Sequence, residues 1–139
     1  MDSLTSNPVL GHINTFGGHP VCCAAGFAAM NVLLDEELID SVKEKEQLFL
    51  SLLSHPKIKK IRSCGLMIAI EFENAKENRK IIDALLQVSG DLESPDTLAV
   101  FTDWFLFAPQ CLRIVPPLTI SDVEIKKACN IIITCLDNV

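Results

Sequence analysis

Leu66-Met67-Ile68-Ala69-Ile70-Glu71-Phe72 is an apolar run of strand length, entered through Gly65. A stretch apolar on both of its faces suits a strand inside a sheet rather than at the sheet's edge. Upstream, Ile58 and Ile61 alternate with Lys57, Lys59, Lys60 and Arg62, the pattern of an edge strand with one wet face. Gly65 breaks that strand and leaves Arg62 in a loop. Downstream, residues 75–88 set Ile81, Ile82, Leu85 and Val88 on one side with charges opposite, which predicts an amphipathic helix. Residues 89–97 carry Gly90, Ser94, Pro95 and Asp96 and read as a loop. Residues 105–108 and 112–115 then flank Pro109-Gln110 as a hairpin, and Pro116-Pro117 ends the pairing. The last helix is marked by a capping box, Ser121 with Glu124, and by a staple, Ile120 with Ile125.

The other end of the chain predicts a long helix. Residues 1–19 read as loop, with Asn7-Pro8, Gly11 and Gly17-Gly18, and Pro20 suits a first helical position. Apart from Gly26, no breaker follows until Pro56. One helix over residues 20–54 is roughly 50 Å long, whereas a compact domain of this chain length has a radius of gyration of about 14–15 Å. It therefore bends near residues 35–37 or belongs to something larger. The element order is helix, two strands, helix, hairpin, helix. The expected class is α+β: a long N-terminal helix leading into a small, mostly antiparallel sheet with helices on one face.

Composition narrows the function. Across 139 residues, 49% are hydrophobic and 22% charged, which is globular rather than disordered. A mean hydropathy of +0.33 is high for so small a domain and points to apolar surface meant for a partner. A net charge of −6 argues against nucleic acid, and no apolar run approaches a membrane span. Six cysteines without a C-x-x-C pair read as free, buried thiols in a reducing cytosol. His12, His19 and His55 lack metal-ligand spacing with them, so no metal site is expected.

Two segments can carry chemistry. In Thr15-Phe16-Gly17-Gly18-His19-Pro20, a hydroxyl and two glycines precede a helix N-terminus. That arrangement can cradle an oxyanion, or it can be no more than a tight turn. Arg113 lies between Leu112 and Ile114, and alternation turns it away from their face. Its planar fork suits a substrate carboxylate or, equally, a structural bridge to a nearby Asp or Glu. Glu71 and Arg62 read as solvated charges. The Gly-Gly turn has no strand leading into it and no G-x-x-x-x-G-K-[ST] pattern, which disfavours a nucleotide site.

These segments resemble a known family. Residues 15–20, followed by Cys22-Cys23-Ala24-Ala25-Gly26, are similar to the Thr-Phe-Gly-Gly-Asn/His-Pro motif of class III pyridoxal-phosphate-dependent aminotransferases. That group includes the acetylornithine, ornithine and 4-aminobutyrate aminotransferases. Arg62-Ser63-Cys64-Gly65-Leu66-Met67 resembles the family's Arg-Gly-x-Gly-Leu-Met segment, with Ser63 in place of a glycine. Leu112-Arg113-Ile114-Val115-Pro116-Pro117-Leu118 resembles its Leu-Arg-Ile-x-Pro-Pro-Leu segment. Residues 89–101 depart from the short glycine-containing turn of the family.

The resemblance implies a fold type I enzyme. Residues 1–34 correspond to the tail of the cofactor-domain region and residues 35–139 to the C-terminal small domain. It implies pyridoxal phosphate as cofactor, an amino acid or ω-amine and a 2-oxo acid as substrates, a cytoplasmic homodimer, Thr15 on the cofactor phosphate of the partner subunit, and Arg113 on the substrate carboxylate. The family's Schiff-base lysine precedes the Thr-Phe-Gly-Gly motif, whereas every lysine here follows it. The expectation is a C-terminal portion that is incomplete alone, contributes no catalytic residue and does not hold the cofactor by itself. The competing expectation is a non-catalytic α+β module that dimerises through its apolar helix.

Overall fold

The structure, a computed structural model, describes residues 15–88 and 100–139. Residues 1–14 of the loop expected over residues 1–19, and the loop expected over residues 89–97, lie outside the described residues. The chain divides into two units, residues 1–37 and 38–139.

The first unit contains α1 (Pro20–Asp35), which follows a turn. The Phe16 carbonyl accepts the His19 N–H at 3.2 Å, and Gly18 supplies the φ of +77° that the third turn position takes. Pro20 sits in the first turn of the helix, where its missing N–H costs nothing. None of the side chains of α1 is buried. The helix ends on Glu36, whose N–H reaches the Val32 carbonyl, and Glu37 takes a left-handed φ of 50°.

The second unit opens with α2 (Val42–Leu52). The continuous helix expected over residues 20–54 is thus two helices, interrupted over residues 36–41 around the anticipated bend at residues 35–37. Next come β1 (Lys60–Cys64), β2 (Met67–Glu71), α3 (Ala75–Val88), β3 (Asp103–Phe105), β4 (Ala108–Ile114) and α4 (Asp122–Asn138). The four strands form an antiparallel sheet in the order β1-β2-β4-β3, with the apolar run at its centre.

Gly65 makes the first hairpin possible. Cys64 pairs with Met67 across a two-residue loop, and Gly65 takes its first position with φ +59°. Arg62 therefore belongs to β1 and not to a loop. The second hairpin turns at Leu106-Phe107 rather than at Pro109-Gln110, because β4 begins at Ala108. Pro109 is tolerated near the start of β4, where the ladder to β3 shifts register between Trp104 and Phe105.

Helices cover one face of this sheet. Ile68 and Ile70 of β2 and Leu112 and Ile114 of β4 pack with Phe49 of α2, Ile81, Ile82 and Leu85 of α3, and Ile125, Cys129, Ile132 and Leu136 of α4. Asn78 joins α3 to β4 by donating to the Pro109 carbonyl at 2.8 Å. The start of α4 carries the expected box. Ser121 Oγ accepts the Glu124 N–H, and the Glu124 carboxylate accepts the Ser121 N–H. Two hydrogen bonds donated to that carboxylate by Ser121, first its backbone N–H and then its hydroxyl, hold the Glu124 carboxyl below its usual range.

Candidate functional site

Alternation along a strand sends neighbouring side chains to opposite faces. Leu112 and Ile114 are buried beneath the helices, so Arg113 between them emerges on the uncovered face. The strand register lines up one row there: Arg62 opposite Ala69, Ala69 opposite Arg113, and Arg113 opposite Asp103. Ala69 is small, so its place in the row leaves the two guanidinium groups room on either side.

Asp103 holds Arg113 side-on. Arg113 Nε donates to Asp103 Oδ1 at 2.6 Å, and Nη2 donates to Oδ2. Both side chains are about half exposed, 45% and 47%. The Phe105 ring lies beneath the guanidinium, 6.0 Å from Cζ to the ring centre. Thr102 Oγ1 donates to the Arg113 carbonyl, which fixes the backbone beside it. Met67, Phe101, Phe105 and Val115 line an open concavity of about 500 Å³ around the pair. Its chemistry is that of a planar guanidinium whose charge is already shared with Asp103, set among Met67, Phe101, Phe105 and Val115, with N–H donors left that suit a carboxylate bound in one orientation.

The second charged group on this face is already paired. Arg62 Nη1 meets Glu71 Oε2 at 2.7 Å, and Nη2 lies 3.5 Å from Cys111 Sγ. The hydrogen bond to Glu71, with its charge, pushes the already high pKa of Arg62 further up. Glu71 is the last residue of β2 and is tied to that partner, so it does not stand free as an acid or base.

Thr15 lies in the first unit and is exposed at the turn before α1. The helix N-cap, His19, makes no side-chain cap, and no acidic residue occupies the first turn. The first amides of α1 are therefore left for an external acceptor, and the dipole favours an anion there. Gly18 has open space around it, so its left-handed backbone is what demands glycine. A hydroxyl donor, bare amides and no competing carboxylate fit a phosphate group.

Asp103 is the residue that sequence reasoning did not single out. Opposite charges directly across an antiparallel pair are a readable signal, but the misplaced hairpin turn hid the register that puts Asp103 against Arg113. All six cysteines are free; Cys22, Cys23 and Cys64 are exposed rather than buried as expected. Burial raises the thiol pKa of Cys129 to about 11 and also raises that of Cys135. Among the described residues, no group of three His, Cys, Asp or Glu side chains is placed to hold a metal ion.

Comparison with known proteins bears on the family and the fold. Residues 2–136 match the family described as "Aminotransferase class-III". An ornithine aminotransferase of Bordetella pertussis is 34% identical over 135 residues, covering 91% of this chain and 30% of that protein. Ornithine aminotransferase 2 of Staphylococcus aureus is 36% identical over 124 residues, covering 84% of this chain and 27% of the relative. The chain thus spans less than a third of the length of these relatives. The ornithine aminotransferase of Toxoplasma gondii superposes with a TM-score of 0.73 at 27% identity, over 92% of this chain and 29% of that one. The acetylornithine aminotransferase of Elizabethkingia anophelis shares the fold, with a TM-score of 0.76 at 24% identity over 92% of this chain and 31% of that one. The chain belongs to the class III aminotransferases.

Proposed function

We propose that the chain supplies a phosphate-side turn and the C-terminal small domain of a pyridoxal-phosphate-dependent transaminase. That enzyme moves an amino group from an amino acid or ω-amine to a 2-oxo acid. In this reading residues 1–34 end the cofactor-domain region and residues 35–139 form the small domain. The observation that carries it is the exposed Thr15 at the uncapped mouth of α1. When bound, the cofactor supplies an electron sink for the transfer.

The residues of this chain have narrower tasks. Thr15 donates its hydroxyl, and the first amides of α1 donate their N–H groups, to the cofactor phosphate of a partner subunit. Arg113 binds the substrate carboxylate. Free thiols at all six cysteines support a reducing, cytoplasmic setting. Among the described residues, no helix is long and apolar enough to cross a membrane.

No lysine of this chain is buried as a Schiff-base lysine needs to be. Lys45 donates to the Leu118 carbonyl and Lys57 to the Leu136 carbonyl, each at 2.6 Å, and Lys59 pairs with Glu73. These residues alone are therefore not expected to capture the cofactor covalently. Incubation of the chain with pyridoxal phosphate, borohydride reduction and peptide mapping should give no stoichiometric lysine adduct; one fully modified lysine contradicts this.

The phosphate assignment is tested in the cofactor-loaded dimer. Thr15→Ala should raise the cofactor dissociation constant roughly tenfold to hundredfold, as expected for loss of a hydrogen bond to a charged group. Thr15→Ser should restore most of it. Unchanged cofactor retention in Thr15→Ala contradicts the assignment. A second reading, a non-catalytic module that associates through α1, is favoured by one observation: that helix exposes Val21, Phe27, Met30 and Leu34. Dimerisation without any effect of Thr15→Ala on cofactor binding would favour it.

A further inference from the structure

We propose that Asp103 is a positioning residue that aims Arg113 at the substrate carboxylate, an inference that rests on the carboxylate-binding role proposed for Arg113. A guanidinium has two edges able to grip a carboxylate with two parallel N–H donors: the side edge, Nε with Nη2, and the end edge, Nη1 with Nη2. Asp103 occupies the side edge. No hydrogen bond or ion pair among the described residues engages Nη1, so the end edge is left for a ligand entering the concavity that Arg113 lines with Met67, Phe101 and Val115. An incoming carboxylate therefore has no need to displace Asp103.

The same contact removes freedom from the side chain. An arginine is rich in rotamers, and a half-exposed one on an open sheet face samples many directions. Asp103, directly opposite in the strand register, fixes the plane of the guanidinium, and the Phe105 ring fixes the side it rests on. Two charges now oppose each other across the fork, Asp103 and the substrate carboxylate. Asp103 is about half exposed and the concavity is open to solvent, so their repulsion is screened. The pre-set plane is the larger effect.

The inference is tested with Asp103→Ala, Asp103→Glu and Arg113→Ala in the cofactor-loaded enzyme. The acceptors are 2-oxoglutarate and an aldehyde without a carboxylate. Asp103→Ala should raise KM for 2-oxoglutarate roughly threefold to tenfold, the scale set by restored side-chain freedom. It should leave kcat and the constants for the aldehyde within twofold, and Asp103→Glu should recover part of the loss. An unchanged or lowered KM for 2-oxoglutarate in Asp103→Ala, while Arg113→Ala raises it, overturns the positioning role alone. No change in Arg113→Ala overturns the carboxylate role beneath it, and the positioning role with it.

Nitrogen-resolved NMR gives a readout that needs no activity. The chain has three arginines, Arg62, Arg79 and Arg113, so each Nε–H resonance can be assigned. In the wild-type chain the Arg113 Nε–H should exchange slowly with water. Asp103→Ala should accelerate that exchange severalfold while Arg62 and Arg79 keep theirs. Equal exchange in variant and wild type overturns the clamp.

Discussion

The two faces of the sheet are built from alternate residues of the same strands, and they follow different physics. On the covered face, Ile70 is fully buried between Ile61 and Leu112, and its neighbours are apolar side chains from three helices. On the open face, one residue away in each strand, Arg62, Ala69, Arg113 and Asp103 form a row of paired charges around a small gap. Burial there is partial, and the interactions are directional. The covered face stabilises the fold through area removed from water. The open face contributes little to stability and, in the proposed function, retains groups whose orientation matters to a ligand. On that reading, a side chain's place in the register decides whether its loss is felt as unfolding or as altered binding.

That contrast can be broken in several places. Ile70→Ala removes a fully buried side chain from the covered face and should cost about 2–5 kcal/mol of stability, read by denaturant unfolding. A cost below about 1 kcal/mol would mean that the face is not packed as described. Gly65→Ala tests the turn that sets the register. It forces a side chain onto φ +59° and brings a Cβ to 2.7 Å from Val42 Cγ1, so a loss of about 1–3 kcal/mol is expected.

Ser121→Ala should cost about 1 kcal/mol through the lost cap of α4. The sign of its pH dependence is set by Glu124. Its folded-state pKa is lowered from 4.5, so its contribution is present above pH 4.5 and is lost as pH falls through the folded value. Ser121→Ala keeps the backbone bond to that carboxylate and loses the hydroxyl one, so the gap between wild type and variant should narrow in acid without closing. On the open face, Glu71→Gln breaks the pair with Arg62 and should change stability by less than about 1 kcal/mol. A loss as large as that of Ile70→Ala would erase the distinction between the faces.

Much of the covered face was legible because it rests on strong local signals. The run at residues 66–72 announced a central strand, and Ser121 with Glu124 announced α4 at the residues where its cap forms. The open face was harder to read. Arg62 sits in β1, where one apolar residue, Ile61, marks the inward side, and Gly65 drew the boundary too early. Pro109-Gln110 carried the composition of a turn, yet tertiary pairing placed the turn at Leu106-Phe107, two apolar residues that are exposed at the tip. Without that register, nothing local joined Asp103 to Arg113. The break at residues 36–41 was foreseen only as a bend, because no glycine or proline marks it and Glu37 takes the left-handed conformation instead.

Adjacent residues of β4 give the most direct test, because Leu112 is fully buried and Arg113 emerges on the other face. Stability and KM for 2-oxoglutarate should be measured side by side for Leu112→Ala and Arg113→Ala in the cofactor-loaded enzyme. Leu112→Ala should lose about 2–5 kcal/mol of stability and keep its KM. Arg113→Ala should keep its stability within about 1 kcal/mol and raise KM roughly tenfold to hundredfold. An Arg113→Ala enzyme that unfolds like Leu112→Ala, or that binds 2-oxoglutarate as well as wild type, contradicts the assignment of the open face to substrate recognition.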